Sequence, residues 1–78
     1  MTNRFMEIAL EEARAAGARG EVPVGAVLVL DGAVVARSGN RTRAENDVTA
    51  HAEVAVIREA SRTLGQERLA GADLYVTL

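Results

Sequence analysis

The stretch VPVGAVLVLDGAVVARSG, residues 22–39, restricts the possible folds of this chain more than any other segment. Two valine-rich apolar runs, residues 22–30 and 33–39, flank the pair Asp31-Gly32. Asp-Gly reaches positive φ at little cost, so the pair between two β-prone runs specifies a tight antiparallel hairpin. The runs are continuously apolar instead of alternating. A sheet of that kind is buried on both faces, so helices are expected on both sides of it.

The flanking sequence supplies those helices. Phe5, Ile8, Ala9, Ala13 and Ala16 recur at helical spacing, with Thr2 or Asn3 to cap the start and Gly17 to stop the end. Residues 40–47 are polar and read as a loop. A second helix is expected over residues 50–63, with Thr49 as N-cap and Ala50, Val54, Ile57 and Leu64 on its inner face. Residues 65–73 connect it to a third strand, residues 74–78. The order is helix, strand, strand, helix, strand. The first two strands should pair antiparallel, and the second and third should run parallel through the crossover helix. The expected fold class is α/β: a three-layer α/β/α arrangement around a mixed sheet, incomplete at three strands. In open sheets of this class, ligand chemistry gathers at the carboxyl ends of the strands.

Composition narrows the function classes. With 78 residues the chain makes one small domain, and 49% hydrophobic content excludes intrinsic disorder. Phe5 and Tyr75 are the only aromatics, so valine, leucine, isoleucine and alanine must form the core. Cysteine is absent, which excludes a disulfide or a thiolate metal site built from this chain alone. The N-terminus carries Arg4 and Glu7 and does not read as a signal peptide. The longest apolar run, residues 22–30, is far short of the ~20 residues that span a bilayer. The net charge is −2 with both signs interspersed, which gives no overall nucleic-acid signature; all nine basic residues are arginine.

His51 is the only histidine, and Glu53 follows it at the start of the second helix. A neutral imidazole is a common metal ligand. Residues two apart on a helix face different ways, so the pair does not chelate one ion from mid-helix. His51 alone could ligate, with Glu53 reaching a metal-bound water beside it. In isolation, however, such a pair is more often plain helix surface. Asn40 ends a strand at the same sheet edge and suits a hydrogen bond to a base or ribose; turn chemistry explains it equally well. Arg41 and Arg43 suit phosphate contacts or simple solvation. Gly25 marks either a close backbone approach, a bulge or a small residue under a helix.

Taken together, GEVPVGAVLV (20–29), NR (40–41), TAHAE (49–53) and RLAGADLYVTL (68–78) resemble, in order and spacing, the bacterial tRNA-specific adenosine deaminases of the cytidine deaminase-like superfamily. The opening FMEIALEEARAA is similar to that family's first helix, so the resemblance covers nearly the whole chain. It implies hydrolytic deamination of adenosine to inosine at the tRNA wobble position. Zinc would be held by one His and two Cys, and a non-ligand Glu would move protons; the signature is H-x-E followed by P-C-x-x-C. By position, His51 matches the zinc ligand, Glu53 the proton shuttle and Asn40 a substrate-base contact, while Ala52 lends backbone near the site. Val48 replaces the usual proline. The P-C-x-x-C segment is not in this sequence, so residues 1–78 are expected to be a single partial deaminase domain, the N-terminal portion, inactive by itself. The resemblance further implies one zinc per complete subunit, the tRNA anticodon loop as partner, a homodimer, a cytoplasmic location and no membrane association. A deaminase of free nucleobases or nucleosides, guanine or cytosine, is the alternative within enzymes. A non-catalytic remnant or interaction module is the alternative outside them.

Overall fold

The computed structural model describes residues 3–42, 51–65 and 70–77. Five elements follow in the expected order: α1 (Arg4–Ala18), β1 (Gly25–Leu30), β2 (Ala33–Gly39), α2 (Ala52–Leu64) and β3 (Ala72–Val76). The hairpin forms as its turn residues dictate, with φ of 52° at Asp31 and 76° at Gly32. β1 starts three residues later than the apolar run does. Pro23 has no N–H to give to a ladder, and the Val24 N–H closes onto the Val22 carbonyl at 2.8 Å in a tight turn.

The sheet order is β2-β1-β3, and β1 pairs antiparallel with both neighbours. This corrects the expected mixed sheet. β2 and β3 do run in the same direction, but β1 lies between them. The reason lies in β1 itself: all but its last residue is buried. A strand so apolar is best satisfied at the centre, where both edges find hydrogen-bond partners. β3 is therefore an edge of this sheet.

The α/β/α layering is as expected. On one face Ala9, Val27 and Val29 form a core with Phe5, Met6, Ile8, Val34 and Tyr75. On the other, Ala26, Leu28 and Ala36 pack against Ala52, Val56 and Ala60 of α2. Between Leu28 and Val29 the register to β2 shifts, leaving Val35 as an extra residue. Val34 joins the α1 face, whereas Val35 and Ala36 both join the α2 face. This β-bulge resets the alternation for the rest of β2.

α1 is capped by Asn3, whose Oδ1 accepts from the N–H groups of Phe5 (2.8 Å) and Met6 (3.2 Å). It passes the expected stop at Gly17 and ends one residue later, at Ala18. There Glu21 N–H bonds the Ala16 carbonyl (2.9 Å) and Gly20 N–H the Gly17 carbonyl (3.1 Å), the paired bonds of a Schellman end. Gly25 is a small residue under this helix: a Cβ there would strike the Ala9 carbonyl oxygen and lie 2.6 Å from the Ala13 nitrogen. Gly39, its register partner, likewise sits against Glu12 and Ala16. The α1 face is fastened further by Phe5 against Tyr75, ring centres 5.4 Å apart, and by Arg37. The Arg37 Nε donates to Glu12 (2.8 Å) and its Nη2 to Glu11 (2.9 Å). Those bonds, the one to Glu12 foremost, raise the guanidinium pKa above its ordinary value.

α2 departs from expectation in its start and its inner face. Its N-cap is His51, so the helix begins at Ala52; Thr49 and Ala50 lie outside the described residues. The inward stripe is Ala52, Val56 and Ala60, while Ile57 is 42% exposed and Val54 and Leu64 are half-buried. Alanines let the helix approach the small residues Ala26 and Ala36 closely, so side-chain size was a poor guide to burial here. β3 likewise spans Ala72–Val76 instead of residues 74–78, and Leu78 lies outside the described residues.

Candidate functional site

The end of β2 meets the start of α2 through Asn40. The bulge at Val35 puts Ser38 and Asn40 on the α2 side of the sheet, and Arg37 and Gly39 on the α1 side. Asn40 is only 5% exposed. Its N–H donates to the Val24 carbonyl at 3.0 Å, and its own carbonyl accepts from Arg19 Nη2 at 3.2 Å. Its side-chain Oδ1 accepts from the buried Ala52 N–H at 2.8 Å. That last bond satisfies one of the orphan donors at the first turn of α2.

His51 occupies the N-cap position with extended backbone (φ −73°, ψ 153°), and its ring makes no capping hydrogen bond. Imidazole is a poor cap, and Asn40 supplies the acceptor instead. The His51 side chain is exposed, Ala52 is fully buried, and Glu53 is half-buried in the first turn. The four residues singled out from the sequence thus share one end of α2. Asn40 and Ala52 are directly bonded; His51 and Glu53 flank Ala52 in the chain. Val48 and Arg43 lie outside the described residues.

Three further residues build this corner and carried little signal in the sequence. Arg19 and Glu21 sit in a segment that reads as loop. Arg19 reaches the Asn40 carbonyl, and Glu21, 5% exposed, accepts from Thr42 Oγ1 at 3.5 Å. Thr77 closes the other side of β1: its Oγ1 accepts from Gly25 N–H and its N–H donates to the Gly25 carbonyl, both at 2.9 Å. A buried carboxylate directly before an apolar run was the one available hint.

This α/β/α corner thus sets a histidine and a glutamate at a helix start beneath a strand-end asparagine. The model for the cytidine and deoxycytidylate deaminase zinc-binding region matches residues 1–78, and the chain belongs to that family. The tRNA-specific adenosine deaminase of Agrobacterium fabrum is 78% identical over 74 residues, which are 95% of this chain and 49% of that protein. A structure from studies of A-to-I editing by tRNA:A34 deaminases superposes with a TM-score of 0.92 at 78% identity, covering 94% of this chain and 56% of that one. Guanine deaminase from Bacillus subtilis superposes with a TM-score of 0.89 at 40% identity, covering 96% of this chain and 50% of that one. The chain spans about half the length of the curated relatives it matches.

The family implies zinc, and the donor set tests that. A catalytic zinc site uses three protein ligands and an open position. Among the described residues no three His, Cys, Asp or Glu side chains converge, and the chain has no cysteine. His51 offers one imidazole. The residues of this chain do not by themselves fit a catalytic zinc site. No described helix is long and apolar enough to cross a membrane.

Proposed function

We propose that this chain forms the His–Glu half of a hydrolytic deaminase site acting on adenosine in tRNA, at the wobble position. The observation that carries the reading is the 2.8 Å bond from Ala52 N–H to Asn40 Oδ1, which holds a strand-end carboxamide beside the His51–Glu53 helix start. In this reading Asn40 faces the base, His51 provides one ligand of the family's metal, and Glu53 carries protons to and from the reacting purine. The high identity to a tRNA-specific enzyme supports adenosine in tRNA as substrate. The likeness to a guanine deaminase supports a second reading, in which the substrate is a free purine base. A homodimer in the cytoplasm goes with the first. The 78 residues alone hold one ligand of three, so they are inactive as they stand.

A chimera tests this: the present chain followed by the C-terminal half of the Agrobacterium fabrum relative, loaded with zinc. The expected result is inosine in an anticodon hairpin, no turnover by the 78-residue chain alone, and a loss of roughly 10²–10⁴-fold in rate for Glu53→Gln. Turnover of guanine with no inosine in the hairpin would replace the first reading by the second. Full activity in the Glu53→Gln chimera would end both.

A further inference from the structure

A groove of about 630 Å³ runs between β2 and α2. Arg41 and Ser38 line its strand side; Arg58, Glu59 and Arg62 line its helix side. It begins one residue beyond Asn40 and follows α2 from Ala55 to Thr63, about 12 Å at the helical rise. Four of the nine arginines border it, and among the described residues Glu59 is the one carboxylate on its walls. Arg37 borders the groove from β2, but its side chain lies on the α1 side of the sheet, where Glu11 and Glu12 match its charge. Among the described residues, three further arginines and one carboxylate therefore line it, in a chain whose net charge is −2. Arg41 and Arg58 each engage a further partner in the chain, so what the groove offers is its summed charge, not a vacant residue. Its volume would suit a small molecule, but such pockets are mostly apolar, and here Ala55 is the one apolar residue on the walls among the described residues. Arginine forks and a threonine hydroxyl are instead the groups that hold phosphate oxygens.

We propose that this groove receives the sugar–phosphate backbone of the RNA strand whose base is offered to the Asn40 end of α2. The proposal rests on the tRNA reading above and extends it. The backbone would enter beside Arg41 and lie along Arg58 and Arg62. Bulk charge hides the site, because α1 carries the balancing acids Glu7, Glu11 and Glu12 on the other side of the sheet.

Equilibrium binding of a fluorescent RNA hairpin to the 78-residue chain, repeated across a salt series, tests it. The variant Arg41→Gln/Arg58→Gln/Arg62→Gln should bind at least about tenfold more weakly at low salt, with its slope of log K against log salt smaller by about two, as three lost phosphate contacts require. Arg4→Gln/Arg14→Gln, which removes two α1 charges outside the groove, should bind as the unaltered chain does. Circular dichroism checks that both variants fold. Equal weakening by the two variants would mean diffuse attraction, and the groove assignment would fall. It would fall too if inorganic phosphate bound with the same arginine dependence while the hairpin did not, or if the unaltered chain bound no RNA. Binding is read without turnover. A chimera that makes inosine while the groove variants bind RNA normally breaks this proposal alone. Arginine-dependent binding with no inosine breaks the tRNA deaminase reading alone.

Discussion

Both helices start under an asparagine carboxamide, but from opposite distances along the chain. Asn3 caps α1 locally: its Oδ1 takes the N–H groups two and three residues ahead, on an exposed surface. Asn40 caps α2 from twelve residues away, inside the protein, across the junction of two elements. The first contact can form in an isolated helical turn. The second exists only when β2 is paired, Arg19 and Val24 hold the Asn40 backbone, and α2 has docked. A local cap thus stabilises a helix, whereas a distant one also ties a candidate site to the completed fold.

Replacing each cap separates the two roles. Asn40→Ala should have the largest effect, about 2 kcal/mol in urea unfolding, because it strands a buried N–H. Hydrogen exchange should report the same difference: the Ala52 amide exchanges only with global opening in the unaltered chain, and by local fraying in the variant. Equal exchange in both would remove the distinction between the caps. Asn3→Ala should cost about 1 kcal/mol, the ordinary worth of an exposed cap. If it matched Asn40→Ala, burial would add nothing to a cap. Smallest is Asn3→Asp, which keeps the acceptor and adds an anion at the positive helix end. It should gain roughly 0.3–0.5 kcal/mol at low ionic strength and lose that gain in salt.

The same contrast explains what could be read from the sequence. Asn3, the Asp31-Gly32 turn and the α1 stripe are local signals, and each stands where its spacing implies. The start of α2 was misplaced because its acceptor is distant in sequence, and no N-cap preference marks His51. The placement of β3 beside β1 was missed because a crossover fixes direction, not neighbour. Of the candidate site, the residue types carried the family resemblance, which names Asn40, His51, Ala52 and Glu53 without their geometry. Arg19, Glu21 and Thr77 were silent because each acts on a backbone group or a neighbour that only the folded chain brings near.

The unpaired Val35 gives β2 a parity. From Ala36 onward each residue's side is set by counting, and Asn40 reaches α2 because an even number of steps separates it from Ala36. Removing Val35 itself would leave a regular ladder with Asn40 still on the α2 side, whereas inserting one residue between it and Asn40 would turn the carboxamide toward α1 and present Gly39 to the helix start. The strand can therefore shed its one surplus codon and keep the corner intact, whereas a lineage that gained a single codon beyond the bulge would have to gain or lose another to recover.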